Sequence, residues 1–392
     1  MSDGPAPPLL DQLATATDRR QQQLVSLSHG VHDDAELRFE EHTSAERCAD
    51  ALDEAGFDVD HAVAGLDTAF VATTGTGELN IGICAEYDAL PGIGHACGHN
   101  IIAAAAVGAA TALAEVADDL GISITVFGTP AEEGGGGKIV MLDAGLFDDI
   151  HAAMMVHPAN YEAATMPCLA VQHLDIAYTG RAAHASGYPQ LGRNAADAFT
   201  VAQVGLGLLR QHITPTDRIH GIITHGGDAP NVIPDRTTGR WYVRAADLER
   251  LAELRPRVEA CFEAGALATG TDLEITAPAK PYSEMTPDGE LLGLYREHAR
   301  AIGRQLPDVP PAAQLSGSTD MANVSLRVPT IHPMIAIGSG DAVNHQPEFT
   351  AAAVSSSGDR AVRDGAIAMA RTAAAAASTT STRTRLLASG RR

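Results

Sequence analysis

The chain has 392 residues, enough for two domains of ordinary size whose cores need no disulfides. Its formal net charge of −22 excludes nucleic acid as a partner, because the phosphates would be repelled. No run approaches the ~20 apolar residues of a membrane span. The five cysteines, Cys48, Cys84, Cys97, Cys168 and Cys261, are odd in number and scattered, which fits a reducing, cytoplasmic setting rather than a disulfide framework.

The opening MSDGPAPPLLDQ has acid and proline where a signal peptide would be basic and apolar. Residues 1–12 therefore read as a loose leader, with helical periodicity from Leu13 to Leu27. Thr43 and Ser44 open a second helix that Gly56 ends. Strands follow at Thr68–Thr73 and Ile81–Ala85, then a helix at Ile101–Ala117, a strand at Ser123–Phe127, a helix at Lys138–Ala144 and a strand at Ala152–Val156. This alternation predicts an α/β layered fold with a largely parallel sheet.

Near residue 170 the texture changes. Strand, helix, strand, strand, helix and strand succeed one another at Val171–Tyr178, Asn194–Arg210, Arg218–Thr224, Thr237–Ala245, Leu248–Ala268 and Leu273–Ala277. That order is a ferredoxin-like α+β unit. After Pro287 the first texture returns, with a helix at 288–303, a strand at Ile331–Ile335 and an alanine-rich helix at about 351–377. The expectation is a discontinuous catalytic domain, 1–169 and 285–392, with a lid inserted at 170–284. The Ser-, Thr- and Arg-rich tail from Ser378 reads as disordered.

Four short segments at strand ends carry the chemistry, where open α/β sheets place their sites. In GHACGHN, Cys97 and His99 stand two apart, so an extended backbone would point both to one side. Thiolate and imidazole suit borderline metals. In GTPAEEGGGGK, Glu132 and Glu133 enter a glycine run, so that one carboxylate can bind a metal while the other faces water. His157 closes the strand in MMVHP, and His345 lies in the late loop NHQPE. Taken alone, Cys97 and His99 are more simply a packed thiol and a satisfied histidine, His157 and His345 more simply satisfied histidines, and the Glu132–Glu133 pair is as readily an acidic surface turn. Together they supply five donors, Cys97, His99, Glu133, His157 and His345, with Glu132 left over as a base. Five donors exceed what one tetrahedral ion needs, which predicts two divalent ions sharing a bridging group. Zinc, manganese, cobalt and nickel all suit such a set.

These segments, with EYDALP, GRAAHAS, GGDAPNVIPD, GSTDMANVS and NHQPEF, resemble the M20 metallopeptidase family in its amidohydrolase, aminoacylase-like branch. The match spreads over about residues 30–350 and is closest to the group that holds aminoacylase-1-like protein 2 and the p-aminobenzoyl-glutamate hydrolase subunits. The resemblance implies a di-metal aminopeptidase-like catalytic domain, hydrolysis of the amide bond of N-acyl amino acids or small dipeptides, and dimerisation through the lid. It implies Cys97 as the bridging ligand, Glu132 as general base and Asp88 as the carboxylate that orients the metal site. His184 would stabilise the oxyanion, in the partner subunit's site, while Asn231 and Arg244 would contact substrate carboxyl or carbonyl groups. Asn100 departs from the Asp of many branch members, which puts the tuning of His99 in question. A broader dipeptidase, or a weakly active member of a hetero-oligomeric amidohydrolase, is the alternative.

Overall fold

Pro7 and Pro8 start a helix rather than preventing one. A proline at the first helical position surrenders an N–H that would be unpaired anyway. The first helix, α1, therefore runs Pro7–Asp34, and the expected leader is helical from its seventh residue. The computed structural model describes residues 4–307 and 317–389. The chain divides into two units, Met1–Pro167 with Met285–Arg392, and Cys168–Glu284.

In the first unit α2 (His42–Asp53) follows α1, but Thr43 and Ser44 do not cap it. The Glu36 carboxylate accepts from both of their backbone N–H groups instead, at 3.0 and 2.8 Å. A six-stranded sheet is built from β1 (Asp58–His61), β2 (Phe70–Thr74), β3 (Leu79–Glu86), β4 (Ile122–Thr129), β5 (Ala152–Met154) and β11 (Thr330–Ile331), in the order β1-β2-β4-β3-β5-β11. The last four strands in that order run parallel, and β2 and β1 add an antiparallel edge. The stretch 331–335 is two strands, because Pro333 interrupts it: β12 (Met334–Ala336) pairs with β6 (His157–Ala159) as a separate ribbon.

Helix α3 (His99–Ala114) is alanine-rich and buried over almost its whole length. It packs with α1 and with α11 (Ser356–Ser378) in one apolar core. A Cβ at Gly108 would lie 2.8 Å from Leu24 Cδ1 and 2.9 Å from Ala366 Cβ, so this close approach requires glycine. The unit is completed by α4 (Ala117–Leu120), α5 (Gly137–Asp143), α8 (Gly289–Ala301), α9 (Met321–Ser325), α10 (Pro347–Ala352) and α12 (Thr380–Ser389). Helix α12 corrects the expected disordered tail. Leu386 is buried, Arg385 pairs with Asp288 and Glu290, and Arg383 donates to the carbonyls of Leu120 and Gly121. Its arginines are anchors rather than solvated charges. Residues 390–392 lie outside the described residues.

The second unit has β7 (Ala170–Thr179), α6 (Ala195–Leu209), β8 (Arg218–His225), β9 (Arg236–Ala245), α7 (Leu248–Thr269) and β10 (Asp272–Thr276). Its antiparallel sheet has the order β10-β7-β9-β8, which is the ferredoxin-like arrangement. Asn194 and Asp247 cap the two helices by accepting from Ala196 and Arg250. The core contains Trp241, the chain's single tryptophan, packed between Phe199 and Phe262.

Candidate metal centre

The parallel strands β3, β4 and β5 end at Glu86, Thr129 and Met154, and the loops that leave them converge at the carboxyl edge of the sheet. The loop after β3 brings Cys97 and His99 together, though not by extension as expected. Gly98 is left-handed, with φ +74°, and His99 is already the first residue of α3. A side chain at 98 would also collide with Pro158, whose Cβ is 2.9 Å from the added atom. After β4, Ala131 is held at φ +61° directly before the two glutamates. Its N–H donates to Glu41 Oε1 at 2.9 Å.

His99 is fully buried and its two nitrogens have distinct surroundings. Nδ1 contacts the carbonyl of Asp88 at 2.8 Å and its Oδ1 at 3.1 Å. Nε2 has no hydrogen-bond partner and faces Glu86 Oε2 at 3.6 Å, Glu132 Oε2 at 4.0 Å and Glu133 Oε1 at 4.0 Å. The second oxygen of Asp88 accepts from the Glu133 backbone at 3.0 Å, so one carboxylate fixes both His99 and the segment carrying Glu133. His157 donates from Nδ1 to the Pro158 carbonyl at 2.8 Å, leaving Nε2 for other use, and its ring meets His99 edge-on. His345, at φ +70°, places Nε2 3.9 Å from Glu133 Oε2. A left-handed non-glycine residue costs free energy that the surrounding structure must offset.

Two trios of donor atoms lie within 4.8 Å of one another: Cys97, His99 and Glu133, and Glu86, His99 and His157. Burial, with Glu133, Glu132 and Asp88 nearby, pushes the Cys97 thiol well up. Burial with Glu86 and Glu133 does the same to the Glu132 carboxyl. Burial opposes a charge on His99, but Asp88, Glu86 and Glu133 outweigh it. Three buried polar atoms that crowd together here, His99 Nε2, Glu133 Oε1 and Glu86 Oε2, have no hydrogen-bond partner. The donor set therefore fits divalent metal ions.

Three groups here carry no local signal in the sequence. Glu86 follows the expected strand Ile81–Ala85 and opens the EYDALP stretch, Glu41 precedes the expected second helix, and His332 falls within the expected strand Ile331–Ile335. Glu41 is buried and its carboxyl is pushed up to about 7 by burial and by Asp88. His332 is buried beside His157, with ring centroids 5.3 Å apart, and neither of its ring nitrogens has a hydrogen-bond partner. Asn100 does not touch His99 through its amide group, which donates to Ser28 and to the Ala353 carbonyl.

The other expected residues lie in the second unit. His184 is exposed, its Nδ1 accepts from Gly187 N–H at 3.0 Å, and its backbone bridges Val232 beside Asn231. Arg244 is on β9, half-buried, and donates from Nε to His220 Nε2 at 3.3 Å.

A parallel-centred sheet with a metal-fitting donor cluster at its carboxyl edge is an arrangement that suits a metal-dependent hydrolase. Residues 82–374 match the model of peptidase family M20/M25/M40, and the chain belongs to that family. It is accordingly a hydrolase of C–N bonds. The chain is 39% identical to a mouse (Mus musculus) Xaa-Arg dipeptidase over 92% of its own length and 87% of that protein. It is 36% identical to one of the two kinds of subunit of the Escherichia coli p-aminobenzoyl-glutamate hydrolase, over 66% of its length and 58% of that protein. Among solved structures, a dinuclear metal binding M20 peptidase of Bacillus subtilis aligns with TM-score 0.67 and 21% identity, covering 91% of this chain and 98% of that one. No helix among the described residues is long and apolar enough to cross a membrane.

Proposed function

We propose that the chain cleaves the amide bond of N-acyl amino acids or small dipeptides at a centre of two divalent ions, zinc or manganese, with cobalt or nickel as substitutes. The observation that carries this reading is the environment of His99. Its Nδ1 is held by Asp88, while its unpartnered Nε2 faces three carboxylates in a buried pocket. Cys97, His99, Glu133, His157 and His345 would hold the ions, with Cys97 between them. Bound cations supply the positive charge that acidifies water and polarises a carbonyl.

The chain's own residues do the rest. Asp88 fixes the His99 ring and the Glu133 backbone before substrate arrives. Glu132, adjacent in sequence to the Glu133 donor and with Oε2 4.0 Å from His99 Nε2, takes a proton from water and returns it to the leaving amine. Arg244 and Asn231 recognise a carboxylate on the amine side of the substrate, a role for which the guanidinium fork is suited. His184 donates to the developing oxyanion. The names of the similar mouse and E. coli proteins agree with a carboxylate-bearing product, arginine in one and glutamate in the other.

The second unit serves as a lid and pairs with a second copy of this chain. Strand β8 is a sheet edge with Ile222 and Ile223 exposed, and α6 exposes Val201, Val204 and Leu208. His184 would then complete the partner subunit's site. Mixing Glu132→Gln with His184→Ala under subunit exchange tests this. A mixed dimer has one doubly defective and one intact site, so roughly a quarter of wild-type activity returns in a statistical mixture. No recovery despite confirmed exchange overturns the trans arrangement. The substrate reading is tested by amine release from N-acyl amino acids and dipeptides with each metal. Turnover that is indifferent to chelators refutes it. Similarity to both kinds of subunit of the E. coli p-aminobenzoyl-glutamate hydrolase keeps a paired-subunit enzyme as the second reading.

A further inference from the structure

Behind the expected donors lies a fully buried charged triad. Lys138, one of only two lysines in the chain, donates from Nζ to Glu86 Oε1 and to Asp320 Oδ1, the latter at 2.7 Å. Its backbone N–H donates to Asp320 Oδ2 at 3.0 Å. None of the three side chains is exposed. The ammonium therefore occupies one oxygen of Glu86 and both oxygens of Asp320 are taken, while Glu86 Oε2 alone is left without a hydrogen bond. That oxygen faces His99 Nε2 at 3.6 Å. A separation of 3.6 Å is too long for an N–H···O bond. It is close to the edge of a tetrahedron of donors around one cation, about 3.4 Å for bonds of about 2.1 Å. His157 completes the trio within 4.8 Å.

We propose that Glu86, clamped by Lys138 and Asp320, is a sixth protein donor, binding through Oε2 the same ion as His99 and His157. The clamp explains an otherwise costly arrangement. A buried triad contributes little to stability by itself, and apolar replacements are often as stable. This triad directs a single lone oxygen at the imidazole and leaves one net negative charge beside the ion. Lys138 and Asp320 are positioning residues acting through Glu86. The proposal rests on the metal-centre reading above.

The test is metal binding rather than turnover. The full-length chain, its Glu86→Gln variant and the triple variant Glu86→Met, Lys138→Met, Asp320→Asn are stripped and titrated with Zn²⁺ against a chromophoric chelator, and with Co²⁺ by visible absorption. Glu86→Gln leaves the Lys138–Asp320 pair intact, and the triple variant leaves no buried charge unpaired, so it decides the matter should the single variant fail to fold. The expected result is two ions in the wild type, with one of the two affinities lowered at least tenfold in each variant and a changed Co²⁺ spectrum for that ion. Two ions bound with wild-type affinities and an unchanged spectrum overturn the proposal. His99→Ala separates the two levels. If it too keeps both ions at full affinity, the metal-centre reading has failed, and if it alone loses an ion, only the sixth donor has.

Discussion

Asp88 joins the two arms of the centre, which makes it the most informative single perturbation. Its Oδ1 and carbonyl hold His99 Nδ1 at 3.1 and 2.8 Å, and its Oδ2 holds the Glu133 N–H at 3.0 Å. Burial alone would raise its pKa, but His99 outweighs it and keeps the carboxyl low and ionised. Removing a carboxylate that orients a ligating histidine typically costs 10–100-fold in metal affinity, which is about 1.4–2.7 kcal/mol at 1.36 kcal/mol per decade. Asp88→Asn keeps one acceptor oxygen, and the backbone carbonyl still accepts from His99 Nδ1. It should fall near the tenfold end. Asp88→Ala frees both the ring and the Glu133 backbone and should fall near 100-fold. Chelator competition at constant pH measures both, with circular dichroism confirming the fold. Equal affinities for Asp88→Ala and wild type would show that Asp88 does not orient the site, and equal losses in the two variants would show that the charge matters more than the contacts.

Glu132→Gln should lower turnover by ~10²–10⁴-fold at near-normal metal content, whereas Glu133→Gln should release metal. The opposite pattern, read by metal analysis, reverses the roles. Cys48 and Cys84 are buried, with their thiols pushed up to about 12 by burial, so neither should react with an aromatic disulfide at pH 8, while Cys261, half-exposed, should. Peptide mapping after labelling settles which do. Arg244→Lys should raise KM for a substrate with a free carboxylate and leave its amidated analogue unchanged, because lysine lacks the fork. In the second unit, burial would raise the Asp217 pKa, but hydrogen bonds from Arg250 and Thr214 hold it below the usual carboxylate value. A depressed carboxyl contributes stability above its unfolded pKa of about 3.9, lost as pH falls through the folded value. Asp217→Asn should therefore flatten the acid limb of unfolding followed by Trp241 fluorescence.

The inner strands and the long helices were legible because a buried parallel strand is a near-continuous apolar run and an amphipathic helix repeats every 3.6 residues. Cys97, His99, Glu132, Glu133, His157 and His345 could be singled out only in combination, because one metal cluster explains so many donor side chains at strand ends better than separate accidents do. What escaped notice depends on distant partners. Strand β1, DVDH, is a polar edge whose only signal is its pairing with β2. Helix α12 looks like a solvated tail until Arg385 finds Asp288 and Glu290. Glu86 and Glu41 read as ordinary acidic residues, since nothing local announces that Lys138 or Ala131 will arrive beside them.

The interruption of the first unit by the second dictates the order in which the newborn chain can settle. Every strand of the second sheet has been synthesised by Thr276, whereas β5 cannot gain its neighbour β11 until Ile331 has appeared. At about 5–20 residues per second, the smaller unit has several seconds to close around Trp241 before the larger sheet can be finished. The proposed donors near residues 97–157 wait through that interval without His345, so until it appears a nascent chain would offer metal ions an incomplete cluster.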